Sequence, residues 1–162
     1  MAVDVELNAE LKERLLSRTL QMLDAIVDEV MTKTVISCDY NDLSAKAARI
    51  LIEEGILGIL VFKDGHPHSM ITSFDLLRLS YEEVFDPNRD FLRTTVGYIV
   101  ADKPLVSVRS GTKLRELINI MIEANVRSVP VIDEGLVRGI VSLTDLIRWY
   151  RDTHDEVRTG KL

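Results

Sequence analysis

Little in this sequence is suited to bond-making chemistry. Its 162 residues include one cysteine (Cys38), three histidines and 6% aromatic residues. A lone cysteine excludes an intrachain disulfide framework and a zinc site built on cysteines. No apolar run approaches the roughly 18 residues that a membrane-spanning helix needs. The opening stretch MAVDVELNAELKERLL is too charged for a signal peptide, so a soluble, cytoplasmic protein without a membrane partner is expected. Basic residues number 20 against 26 acidic ones, and the net charge of −6 argues against nucleic acid as a partner. There is no glycine-rich phosphate loop and no GxGxxG. Ser107 and Ser110 lack a paired histidine and acid, so nucleophilic catalysis has no visible basis and a non-enzymatic protein is expected. His66 and His68 flank Pro67 beside a turn, with no carboxylate or cysteine spaced to complete a metal site; exposed loop residues are expected. Cys38 is expected to be an inert thiol.

What is present is a duplication. With 46% hydrophobic and 28% charged residues the chain should fold, as one domain or as two very small ones. Shifted by 70, residues 30–77 fall on 100–147 without a gap, so that Val30/Val100, Lys33/Lys103, Ser37/Ser107, Ile50/Ile120, Val61/Val131, Gly65/Gly135 and Asp75/Asp145 coincide. Each copy reads as strand, helix, strand, strand, helix. In the second copy, strands are expected at Pro104 to Val108, Val126 to Ile132 and Leu136 to Val141. Thr112 should cap a helix that Asn125 closes, and Gly135 should carry a hairpin turn. A last helix should run from Ser142 to about Arg151. In the first copy, strands are expected near Val35–Ser37, Leu57–Phe62 and Pro67–Thr72, and helices near Asp42–Glu54 and Ser73–Glu82.

A unit of about 50 residues buries too little surface to stand alone. The expected fold is therefore α+β: two tandem β-α-β-β-α units packed sheet to sheet with pseudo-two-fold symmetry, sharing a cleft suited to a ligand. The divisions expected are a leading segment 1–28, units at 29–82 and 96–151, a connector 83–95 and a polar, fraying tail 152–162. An amphipathic helix is expected at about 9–30, with Leu7, Leu11, Leu15, Met22 and Ile26 in one stripe, widened by Leu16, Leu20, Leu23 and Val27. It serves either as a cover for the sheets or as a dimerisation helix.

The segments SMITSFDLL, NVRSVPVID and GLVRGIVSLTDLI, repeated in order and spacing, resemble a pair of CBS (cystathionine-β-synthase) domains, a Bateman module. The resemblance implies a regulatory module, commonly a homodimer, that binds AMP, ADP, ATP or sometimes S-adenosylmethionine between the copies. It implies that Thr72 with Asp75, and Ser142 with Asp145, hold a ribose. The base would then lie against Val35, Ile36, Gly58 and Ile59 in one pocket and Leu105, Val106, Ser128, Val129 and Pro130 in the other. Arg127 would meet phosphate, which the resemblance assigns to the Asp145 pocket. The Asp75 pocket, with Leu57 at the equivalent position, is expected to be weaker, to take a less charged ligand or to stay empty. Ser/Thr-x-x-Asp before an apolar helix also reads as a plain N-cap with an acid in the first turn, and the two roles are compatible. A structural dimerisation module without a nucleotide is the alternative function.

Overall fold

Each repeat interleaves apolar strands with amphipathic helices, and the computed structural model describes residues 24–86, 88 and 90–158, with 12, 13, 16, 17, 19 and 20 of the leading segment. Unit one contains β1 (Ser37–Asp39), α1 (Ser44–Glu54), β2 (Gly58–Lys63), β3 (His66–Thr72) and α2 (Ser73–Glu83). Through a 3-10 turn at Phe91–Arg93 and a short α3 (Val96–Ile99), the chain reaches unit two: α4 (Leu114–Glu123), β4 (Ser128–Asp133), β5 (Leu136–Ser142) and α5 (Leu143–Arg158). β1 runs parallel to β2, and β2 and β3 form an antiparallel hairpin, as do β4 and β5. The copies match down to their irregularities. Both hairpins shift register at the equivalent place, after Val61 and after Val131. Both turns place two residues at positive φ, Asp64–Gly65 and Glu134–Gly135, the primed geometry that follows the strand twist.

The strand expected at Pro104 to Val108 is reduced to one parallel bridge, Val108 to Val131, equivalent to Cys38 on Val61. Pro104 has no N–H to give, and the ladder begins only where Val108 donates to the Pro130 carbonyl at 3.1 Å. β1 likewise begins at Ser37 rather than Val35. Asp42 and Thr112 do not cap their helices. Leu43 and Lys113 stand at the N-cap positions without a side-chain bond, and the first helical N–H groups find carbonyls elsewhere: Ser44 donates to Thr94 and Leu114 to Ala25, both at 2.8 Å. His66 and His68 belong to β3 rather than to a loop, and His68 meets the Tyr40 ring edge-on at 5.2 Å. α5 continues to Arg158, so the backbone from 152 to 158 is helical where a frayed tail was expected.

The leading helix ends earlier than expected. Asp24 is helical, but Ile26 is extended (φ −107°, ψ 157°) because it bridges to Lys113, and a 3-10 turn at Val27–Glu29 follows. Leu16 and Leu20 are exposed; Leu7, Leu11, Leu15, Met22 and Leu23 fall outside the described residues. Val27 donates to Thr112 at 2.9 Å and is fully buried in the core of unit two, with Val108, Leu117, Met121 and Val129. Thr32 exchanges two backbone hydrogen bonds with Ile140 on β5. The connector does the reciprocal thing: Val96 donates to Asp42 and Gly97 to Tyr40, and Val96, Ile99 and Val100 fill the core of unit one. Each unit is thus completed by the segment that precedes the other. Gly139 makes room for this, since a Cβ there would lie 2.7 Å from Met31 Sδ and 2.9 Å from the Thr32 carbonyl.

Side chains along β2 alternate. Ile59 and Val61 enter the core of unit one, so Leu60 points the other way, and it too is fully buried. Its counterpart Pro130 is buried as well. Leu60 thus lies outside the core cluster of its own unit.

Candidate functional site

Among the described residues, a pair of clefts of similar size lies between the stacked units, one beside Asp75 and one beside Asp145, of about 340 and 330 Å³. Both carboxylates stand at the same architectural point, where a strand ends and the last helix of the unit begins. Thr72 is extended at the end of β3, and its hydroxyl accepts from the Asp75 N–H at 3.3 Å. Asp75 Oδ2 in turn accepts from the Thr72 N–H (2.8 Å) and hydroxyl (2.6 Å). Ser142 and Asp145 repeat the reciprocal box at 3.2, 2.8 and 2.5 Å. The capping role is therefore real in both copies. It uses Oδ2 in each, and both acids remain only 7% and 9% exposed.

The surroundings of the acids differ. In the Asp75 cleft, Lys103 Nζ donates to the same Oδ2 at 2.6 Å. In the Asp145 cleft, Oδ1 accepts from the Thr32 hydroxyl at 3.1 Å, and Arg148 approaches it at 3.4 Å. Asp145 is thus held by a neutral hydroxyl and a long, half-exposed ion pair, Asp75 by a close ammonium.

The expected binding residues are redistributed. Ile36, expected beside Asp75, lines the Asp145 cleft, with Ile56 and Ile140 completing an apolar wall. Val106, expected beside Asp145, lines the Asp75 cleft with Met70 and Val126. Gly58, Arg127 and Ser128 border both. The crossing has a simple cause: each helix N-terminus faces the opposite unit across the stack, so each acid meets the residues that lead into its neighbour's sheet. Ile59 and Val129 are fully buried in the unit cores and Pro130 is buried, and none of the three lines either cleft. Val35 and Leu105 are half-buried and line neither cleft. Arg127 was expected inside a strand; it lies just before β4, exposed, and its carbonyl accepts from the Leu143 N–H at 3.0 Å. Because it borders both clefts, it cannot rank Asp145 above Asp75.

Three polar residues at the acids escaped the reading of the sequence. Lys103 was visible as an identical pair with Lys33, yet only Lys103 reaches an acid. Arg148 was visible as a pair with Arg78, and Thr32 gave no signal. Cys38 is buried, and burial, its largest influence, pushes the thiol up to about 11. Among the described residues no group of three histidine, cysteine or acidic side chains could hold a metal, and no helix is long and apolar enough to cross a membrane.

The profile of the CBS domain family matches residues 27–82 and again 96–152. MJ1404 of Methanocaldococcus jannaschii is 31% identical over 147 residues, which cover 81% of this chain and 33% of that one. MJ1225 of the same organism is 21% identical over 131 residues, covering 77% of this chain and 47% of the relative. The chain thus spans between a third and a half of the length of these two relatives. The crystal structure of MJ1225 superposes with a TM-score of 0.69 at 22% identity, over 85% of this chain and 53% of that one. That of CBSX2 in complex with AMP superposes with a TM-score of 0.67 at 22% identity, over 80% of this chain and 98% of the other. At such identities these structures establish the fold.

Proposed function

The chain belongs to the CBS-domain family, and on that footing we propose that it is a regulatory module which binds an adenine nucleotide (AMP, ADP or ATP) between its two units. The observation that carries this reading is the repeated pairing, in both clefts, of a nearly buried aspartate with an apolar wall and the edge of Arg127. A carboxylate accepts both vicinal hydroxyls of a ribose, and hydrogen bonds to charged groups contribute about 1.5–3 kcal/mol each. The base then lies on Ile36, Ile56 and Ile140 in one cleft, or on Met70, Val106 and Val126 in the other, and phosphate reaches Arg127. The AMP bound to CBSX2, a protein of the same fold, makes this nucleotide the first to test.

Transmission follows from Thr32. Its hydroxyl donates to Asp145 while its backbone is stitched to β5. A ribose hydroxyl that takes the place of the Thr32 hydroxyl changes the grip on the segment leading to the N-terminus. A ligand shifts a conformational equilibrium only through such differential contacts. The module passes that change to a regulated protein.

A thermal-shift series with AMP, ADP, ATP and S-adenosylmethionine tests the reading. At 100 times Kd, binding adds about 2.7 kcal/mol, which for a chain of this size raises Tm by roughly 5–11 °C. No shift with any of the four at millimolar concentration overturns it.

A homodimer accompanies this reading. Ile52 and Ile122, and Leu77 and Ile147, are equivalent positions in the two copies, and all four are at least 66% exposed. An apolar position left in water twice at the same place in a repeat fits a second copy of the chain covering both. Sedimentation equilibrium measures the mass, and a dimer that binds none of the four ligands selects the structural alternative.

A further inference from the structure

The two clefts are not independent volumes. Leu57 and Gly58 in unit one, and their equivalents Arg127 and Ser128 in unit two, border both cavities at once. The backbone equivalence is close: the Leu57 carbonyl accepts from Ser73 and the Arg127 carbonyl from Leu143, each at 3.0 Å. The pseudo-two-fold therefore offers two positions for a side chain shared between the clefts. Only one of them carries a cation.

The charges on the cleft walls make that single cation decisive. The Asp75 cleft contains Asp75, Lys103 and Arg127; the Asp145 cleft contains Glu54, Asp145, Arg148 and Arg127. Lys103 pairs closely with Asp75, and Arg148 pairs with Asp145 over a longer distance. Arg127 is the one described cation lining either cleft that has no carboxylate partner. Without it, neither wall carries a net positive charge. A phosphate in one cleft engages the Arg127 guanidinium and leaves the other cleft neutral or acidic.

Resting on the nucleotide reading above, we propose that the two clefts compete for Arg127, so that anionic nucleotides bind to this chain with negative coupling while an uncharged nucleoside does not. The coupling appears in the second binding step, weakened about 10- to 100-fold relative to the first, the worth of one charged hydrogen bond. Reciprocity requires that whichever cleft fills first impose the same factor on the other.

Calorimetric titration of the full chain with AMP and with adenosine tests this. The expected result is two AMP steps separated by about 10- to 100-fold and two adenosine steps without that separation. Leu57→Arg places a second guanidinium at the equivalent position. Leu57 is largely exposed, so the substitution leaves the cores intact, and the AMP steps should close to within about threefold. Arg127→Ala, at an exposed side chain, should weaken the tight AMP step to the level of the loose one. Equal AMP steps in the unaltered chain, a separation that survives Arg127→Ala, or the same separation for adenosine overturns the coupling. So does a single site for both ligands. Tight adenosine binding without any gain for AMP overturns the role of Arg127 and leaves a nucleoside site standing. Binding of neither ligand removes the nucleotide reading itself, and the coupling with it.

Discussion

Replacing Asp145 by Asn separates the two jobs that this carboxylate is asked to do. As a cap, its Oδ2 takes the Ser142 N–H at 2.8 Å and the Ser142 hydroxyl at 2.5 Å. An asparagine carbonyl oxygen keeps both bonds. The amide nitrogen then faces Thr32, whose hydroxyl now donates to Oδ1 at 3.1 Å and can rotate to accept instead. What is lost is the charge: its attraction to the N-terminus of α5, about 0.3–1 kcal/mol, and the 3.4 Å pair with a half-exposed Arg148, about 0.3–0.5 kcal/mol. The unliganded protein should therefore lose roughly 1 kcal/mol, a fall in Tm of about 2–4 °C. Ribose binding loses a charged acceptor for two hydroxyls, about 1.5–3 kcal/mol, or 10- to 150-fold in the Kd for AMP. Thermal unfolding without ligand and calorimetry with AMP read the two effects apart. A Kd within threefold of the unaltered protein, alongside the small fall in Tm, would refute the ribose role and leave Asp145 as a cap.

Removal of residues 1–23 should leave both units folded, and the mass of the product in solution shows whether the leading helix holds the dimer together. Removal of 1–28 also takes the buried Val27 and the Ala25 and Val27 backbone bonds to unit two. That should cost roughly 3–6 kcal/mol by burial and hydrogen bonding together. Denaturant unfolding should show unit two melting first; equal stability of the two truncations would contradict the exchange of segments. Burial keeps the Cys38 thiol protonated up to about 11 in the folded chain, whereas the unfolded chain releases the proton near 9.0. Below about pH 9 this contribution is complete, and it fades as pH rises towards 11. In urea titrations between pH 8 and 11, Cys38→Ala should flatten part of the decline; an unchanged decline would place the thiol in contact with water.

The repeat was legible because duplication leaves its mark in identities, and the turns because positive φ at Gly65 and Gly135 restricts the residue type. The exchange of leading segments was not. It joins Val27 to Thr112 and Val96 to Asp42, contacts far apart in sequence. The equivalence also slips by one residue there, since the 70-residue shift sets Val27 against Gly97. Helix starts were misread for the same reason. Asp42 and Thr112 are good capping types, but the connecting segments had already supplied carbonyls to Ser44 and Leu114, and a satisfied N–H needs no side chain.

The clefts repeat that lesson at the level of charge. A motif read along one copy assigns its acid, its strands and its cation to a single pocket. Stacking two copies face to face brings each acid to residues that lead into the other copy's sheet, so Asp145 sits with Ile36 and Asp75 with Val106. A residue at the point where the copies meet then belongs to two sites at once. Along its own copy, Arg127 is the advantage of one pocket. Placed between the copies, it is a shared resource, and the difference between Leu57 and Arg127 stops being a ranking of two sites. It becomes a reason for each site to respond to the state of the other. Restoring symmetry by Leu57→Arg should abolish that response without touching either aspartate, and this makes the pair of positions, rather than either acid, the place where coupling is decided.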